Sequence, residues 1–264
     1  MVPLLPIGLP PGGIASCASR FTHLMEKVAS QVRSAFLSTV AVASLLVTVI
    51  LSGAETGPAK WENDVRAFEQ SDRTNPPPPN ASVFVGSSSI RLWKSLPLDF
   101  KEFSVVNRGF GGSELSDSVA LFDRLVLPYR PRLIVLYAGD NDLAEGKSPA
   151  RICADWQAFV KKARAALPKV FIAYIAIKPS PARSALLDKS REANGLIAAA
   201  IRKDARLAFV DVFTPMLGPD GQPRPELFQA DKLHLNSRGY ELWISALRPL
   251  LEKHGTRVTT PPRQ

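Results

Sequence analysis

Five short, near-continuously apolar runs punctuate this chain: SVFVG at 82–86, FSVVN at 103–107, LIVLYA at 133–138, VFIAYIAI at 170–177 and LAFVDV at 207–212. A strand with one wet face alternates apolar and polar residues, whereas a strand covered on both faces need not, so runs of this kind suit a parallel sheet. Stripes of helical spacing lie between the runs. Leu115, Val119, Phe122 and Val126 form one, and Ile152, Trp156, Phe159, Val160 and Ala163 form another behind Ser148-Pro149 as N-cap and first helical position. Ala193, Leu196, Ile197, Ala200 and Ile201 form the third. Tyr240, Trp243, Ile244, Leu247 and Leu251 form the last, with Pro249 inside it, where it is expected to kink or shorten the helix. Strand and helix alternating through five strands predict one doubly wound α/β domain.

The amino-terminal part reads differently. Residues 35–51 (AFLSTVAVASLLVTVIL) carry no charge, Lys27 and Arg33 precede them, and Ser52-Gly53-Ala54 follows. A positive region, an apolar run and a small-x-small site are the order of a secretory signal peptide, so residues 1–54 are expected to be a leader and the mature chain to be exported. The rival reading is a retained membrane anchor, since 17 residues at about 1.5 Å each barely reach across a hydrocarbon core of about 30 Å. Met25 is a second candidate start. WENDVRAFEQS at 61–71 predicts a short amphipathic helix on Trp61, Val65 and Phe68, and Pro76–Pro79 a stiff linker. The domain proper is expected over 81–254, with a frayed tail at 255–264.

At 45% apolar and 22% charged residues, the composition excludes general disorder. Cys17 and Cys153 are too few for a disulfide scaffold or a multi-cysteine metal site. The net charge of +9 comes from scattered Lys and Arg without a dense run or recognition motif, which argues for a mildly basic surface rather than a nucleic-acid interface.

In a doubly wound sheet, ligands bind beyond the carboxyl ends of the strands, so reactive residues should follow strands directly. After the first run comes GSSSI at 86–90, where a serine at a strand-to-helix turn would project its hydroxyl above the sheet; a plain N-cap is the bland reading. After the second comes NRGFGGS at 107–113, whose glycines permit close backbone approach or only a tight turn. Its third glycine for a dinucleotide fingerprint is replaced by Glu114. After the third comes GDND at 139–142, an Asn amide able to meet an oxyanion, an Asx turn, or a metal loop on Asp140 and Asp142 that lacks the further acids of a calcium site. Before the closing helix comes DKLH at 231–234. A carboxylate three residues ahead of an imidazole can hold one ring nitrogen while the other faces the cleft, although such pairs are also common on bare surfaces.

Occurring together in this order, FVGSSSI, NRGFGG, GDND and DKLH resemble the four blocks of the SGNH hydrolase superfamily, the GDSL-type esterases. The resemblance runs from about Trp61 to His254. It implies a three-layer α/β/α sandwich with a five-stranded parallel, flavodoxin-like sheet. It further implies Ser88 as nucleophile, His234 as base, Asp231 as its partner, and Ser88, Gly112 and Asn141 as oxyanion donors. No cofactor or metal is implied. The residue before the nucleophile is usually Asp in the family and is Ser87 here; Ser87 and Ser89 also blur which serine reacts.

The implied activity is hydrolysis of a small-molecule ester, an acylated sugar or lipid, through an acyl-enzyme. The alternatives are a non-catalytic carbohydrate- or lipid-binding module on the same fold and a nucleotide-binding α/β protein. KPSPAR at 178–183 follows the fourth strand and either borders the cleft or is a solvated loop, the reading preferred on sequence. No long apolar lid insertion is visible, which favours short acyl or acetyl groups.

Overall fold

The computed structural model describes residues 57–258. The expected leader, its apolar run 35–51 and residues 259–264 lie outside them. Five strands form one parallel sheet: β1 (Ser82–Gly86), β2 (Val105–Gly109), β3 (Leu133–Tyr137), β4 (Phe171–Ile175) and β5 (Leu207–Val210), in the order β2-β1-β3-β4-β5. A short 3-10 turn, Gly57–Trp61, leads into α1 (Glu62–Thr74), which precedes the sheet. Between the strands run α2 (Ser88–Arg91), α3 (Leu96–Asp99), α4 (Leu115–Ala120), α5 (Phe122–Leu125), α6 (Asp140–Ala144), α7 (Pro149–Ala166) and α8 (Leu187–Ile201), and α9 (Ser237–His254) closes the fold.

Alternate residues of the central strands serve opposite faces. Val83, Val85, Ile134, Leu136, Ile172 and Tyr174 enter the core shared with α1, α4, α5, α7 and α8. Phe84, Val135, Tyr137, Ala173 and Ile175 enter the core shared with α2, α3 and α9. Both cores are buried and predominantly apolar, so the sheet is the middle layer of the α/β/α sandwich predicted. In the second core Trp93 stacks on Tyr240 with ring centroids 4.9 Å apart and meets Trp243 edge-on at 5.9 Å. That contact fixes α9 against the turn after β1, which matters for the site below. On the first face, Arg108 of β2 is buried between Asp72 of α1 and the Tyr129 hydroxyl, 2.6 Å from its Nε, and ties α1 to the sheet edge.

Several boundaries differ from the sequence reading for local reasons. β2 begins two residues later than expected and continues to Gly109, because Gly86 and Gly109 pair in register at the ends of their strands. A Cβ at Gly109 would lie 2.1 Å from Arg91 N, so only glycine lets this strand end pass under α2. The single stripe over 115–126 is broken at Leu121, whose φ of −92° and ψ of 7° end α4 and start α5. Pro249 neither shortens nor ends α9, which continues to His254, with Trp243, Leu247 and Leu251 fully buried on both sides of it. Nor does the chain fray at 255. Thr256 O accepts from Ser104 N at 2.8 Å, Val258 N donates to Glu102 O at 3.0 Å, and Phe103, expected in β2, instead bridges Arg257 antiparallel.

Candidate active site

The strand order reverses between β1 and β3, and a crevice opens at the carboxyl ends of strands flanking such a point. The turn after β1 is built from one strained residue. Gly86 has φ +130°, and Ser87 N then donates to Tyr137 O at 2.9 Å. Ser87 is extended and caps α2, its carbonyl accepting from Ile90 N and Arg91 N. It therefore acts through its backbone, a role that does not depend on the Asp usual at this position. The hydroxyls of Ser87 and Ser89 are buried and find no partner among the described residues. Ser88 is half-buried at the start of α2, and its Oγ lies 3.0 Å from His234 Nε2. Of the three serines, only Ser88 meets an imidazole.

His234 sits in the loop before α9. Asp231 Oδ1 accepts from Leu233 N at 3.0 Å and His234 N at 2.9 Å, while Oδ2 lies 2.6 Å from His234 Nδ1. Lys232 takes a left-handed φ of +58° to let the loop close this tightly. The backbone N–H of His234, its ring and the N–H of Leu233 hold the Asp231 carboxyl down to about 2. Two anchors fix the loop against the turn after β1: Asn236 caps α9 through Gly239 N, and Tyr240 Oη donates to Ser89 O at 2.9 Å. A carboxylate, an imidazole and a hydroxyl thus form one hydrogen-bonded chain from residues 146 positions apart.

Gly112 and Asn141, expected with Ser88 as oxyanion donors, sit on the loops after β2 and β3. Phe110 N donates to Gly86 O at 2.8 Å, which brings the 110–113 loop beside the turn after β1. Gly112 is exposed with φ +78°, facing the Trp61 ring, and Trp61 in turn packs edge-on against Phe110. The N–H groups of Ser88 and Gly112 have no protein acceptor among the described residues. Asn141, near-buried at the start of α6, donates from Nδ2 to Ser113 O at 2.9 Å and accepts at Oδ1 from Arg183 Nη2 at 2.9 Å.

The carboxylates of GDND are engaged by internal partners. Asp142 accepts from Leu115 N and Lys147 Nζ, at 3.1 Å and 3.0 Å, and so holds the start of α4. Burial raises its carboxyl to about 6 even with Lys147 beside it. Asp140 accepts from Lys178 Nζ at 2.8 Å and lies 3.2 Å from Arg183 Nη1. Burial alone would raise Asp140, but Lys178 and Arg183 outweigh it and hold the carboxyl below its ordinary value.

The preferred reading of 178–183 as a solvated loop is therefore incorrect. Lys178 and Ser180 are buried, and Ala182 N donates to Lys232 O at 3.0 Å, so the segment touches both the Asn141 loop and the His234 loop. The sequence shows only a lysine directly after an apolar strand, and its partner Asp140 becomes visible once β4 is seen beside β3. His254 lies elsewhere, stacked 3.7 Å from Phe171 at the amino end of β4. That pole also carries a cavity of about 690 Å³ lined by Arg132, Lys169 and Arg206, which contains no hydroxyl–imidazole pair. The hydroxyl–imidazole pair of Ser88 and His234 lies at the opposite pole.

Sheet order and loop placement define the class as a doubly wound α/β protein with the SGNH hydrolase fold. The chain belongs to the GDSL-like lipase/acylhydrolase family, whose model matches residues 85–242, more than half its length. It is 25% identical over 178 residues to the human platelet-activating factor acetylhydrolase IB subunit alpha1, covering 64% of this chain and 74% of that protein. Among solved structures, a Streptococcus pneumonia protein described as a platelet activating factor superposes with a TM-score of 0.65 at 20% identity, over 80% of this chain and 99% of the other. A GDSL-like lipase from Bacteroides thetaiotaomicron gives 0.61 at 22%, over 72% and 97%. At these identities the two structures speak to the fold.

Proposed function

We propose that the protein is a serine esterase that hydrolyses carboxylic esters with short acyl or acetyl groups. The observation that carries this reading is the 3.0 Å contact between Ser88 Oγ and His234 Nε2, with Asp231 on the far ring nitrogen. In the proposed mechanism His234 accepts the Ser88 proton as Oγ adds to the ester carbonyl carbon. The oxyanion so formed is met by the N–H groups of Ser88 and Gly112 and by the Asn141 amide, each such donor typically contributing about 3–4 kcal/mol to the barrier reduction. Collapse expels the alcohol, which takes the proton from His234, and water then releases the acyl group from Ser88 by the same path. The acetylhydrolase name of the human relative supports a small acyl group, and the acceptor is proposed to be a sugar or a lipid. Export through the 35–51 segment, or its retention as an anchor, belongs to the same proposal, since an exported esterase meets acylated glycans and lipids first.

The test is direct. A fluorophosphonate probe is expected to label Ser88, read by peptide mass spectrometry, and turnover of p-nitrophenyl esters is expected to fall steeply beyond short chains. An unlabelled protein with no ester turnover would point to the non-catalytic binding module instead.

Asp231→Asn checks the assigned tautomer. The Asn Oδ1 can keep the two backbone N–H bonds, so the loop is retained. Its amide N–H₂ facing Nδ1 forces the ring proton onto Nε2, which then donates to Ser88 and cannot take its proton. The expected loss in kcat is about 10³–10⁴-fold. The wild-type pH profile has a sign to check as well. A carboxyl held down to about 2 stays ionised throughout the assay range and loses its favourable contacts only as pH falls through that value. Between about pH 4 and 8, kcat/KM should therefore show no acid limb from Asp231.

A further inference from the structure

We infer that Arg183 is a positioning residue for the proposed reaction, holding the Asn141 amide in the one orientation that presents an N–H to the oxyanion; the inference rests on the esterase reading. A side-chain amide has two ends of opposite character and similar shape, and a half-turn exchanges them. With Oδ1 turned toward the reacting carbonyl, Asn141 would repel the developing negative charge instead of meeting it.

Two neighbours fix the choice. Arg183 carries only donors, so the atom 2.9 Å from its Nη2 is the amide oxygen. The Ser113 carbonyl only accepts, so the atom 2.9 Å from it is the amide nitrogen. That nitrogen has two hydrogens, and Ser113 takes one. The second is the one left for an oxyanion.

The surroundings add to this. Asp140 lies buried between Lys178 Nζ, at 2.8 Å, and Arg183 Nη1, at 3.2 Å. Two cations against one carboxylate leave a net positive charge immediately behind Asn141, and a cation on the amide oxygen polarises the N–H toward stronger donation. The Asp140 carboxylate, 3.2 Å from Nη1, also attracts the guanidinium from behind.

The backbone of the 180–183 segment is secured without the Arg183 side chain. Ala182 N donates to Lys232 O, and Arg183 N donates to Ser180 O, both at 3.0 Å. Removing the guanidinium should therefore leave the loop and the His234 contact in place.

The experiment compares the full chain with its Arg183→Gln and Arg183→Lys variants, measuring kcat, KM, thermal midpoint and inhibition by an aryl trifluoromethyl ketone. Ser88 adds to such a ketone to give a tetrahedral oxyanion adduct, so a change in its affinity between variants that keep the same Ser88, His234 and Asp231 reports on the donors. For Arg183→Gln, kcat is expected to fall about 10- to 100-fold with KM within about twofold, and the ketone's inhibition constant to rise by the same factor. Arg183→Lys, which keeps the charge and a donor, should recover part of both losses. A Gln variant with wild-type kcat, or a rate loss with no matching loss of ketone affinity, overturns the positioning role while leaving the esterase reading intact. A wild-type protein that neither turns over esters nor reacts with a fluorophosphonate at Ser88 overturns both.

Discussion

Ser88→Ala is expected to lower ester turnover on the order of 10⁶-fold and to abolish fluorophosphonate labelling, with the thermal midpoint essentially unchanged. Both halves follow from the same surroundings. The hydroxyl is half-buried and His234 is partly exposed, so deleting Oγ leaves the imidazole able to bond water, and no buried polar group is stranded. Surface-accessible truncations of this kind stay within about 0.5 kcal/mol. The neighbouring serines cannot substitute. The hydroxyls of Ser87 and Ser89 are fully buried, and neither reaches an imidazole among the described residues. Reaction from either would require unwinding a turn that Ser87 N and Tyr240 Oη pin to Tyr137 O and Ser89 O. A variant that keeps wild-type turnover on the esters the parent cleaves would remove Ser88 from the mechanism.

Why the site was legible and its support was not is a matter of interaction range. The strands after which Ser88, Gly112 and Asn141 fall announce themselves locally, because a doubly covered strand has to be apolar throughout. Asp231 and His234 are three residues apart, so their contact is a property of one loop. Asp140, Lys178 and Arg183 depend on β3 and β4 lying side by side, with Leu136 paired to Tyr174 in register. Strand adjacency is set by the whole fold, and a lysine and an arginine at the end of a strand look like ordinary loop charges until that neighbour is known. The 256–258 pairing with the edge at 102–104 is likewise a long-range contact, invisible in a polar tail. Pro249 misleads for a different reason. A proline costs one helix hydrogen bond, but Leu247 and Leu251 are buried on either side of it, and that burial outweighs the local preference.

Gly86→Ala is expected to be the most destabilising small substitution in the turn, about 4 kcal/mol or more, or to yield no folded protein. The added Cβ would stand 1.8 Å from Tyr137 O and 2.7 Å from Tyr137 C. These are backbone atoms of the central strand β3, held by β1 on one side and β4 on the other, with the Tyr137 ring fully buried in the second core. Nothing there can swing aside as a flexible side chain would, and φ of +130° is itself closed to alanine. Relief therefore requires β1 to part from β3 at the point where Ser87 N bonds Tyr137 O, one residue from the Ser88 hydroxyl. Any folded fraction should accordingly lose activity beyond its loss of stability, because the 3.0 Å reach to His234 depends on that turn. Gly112→Ala is the internal control. Its φ of +78° also strains alanine, yet the new Cβ meets only the Trp61 ring at an ordinary 3.6 Å, so the cost should be about 1–2 kcal/mol. Urea unfolding of the two variants beside the parent separates backbone collision from dihedral strain: if both lose the same small amount, the turn after β1 is more pliable than its geometry implies, and the fixed placement of Ser88 no longer follows from it.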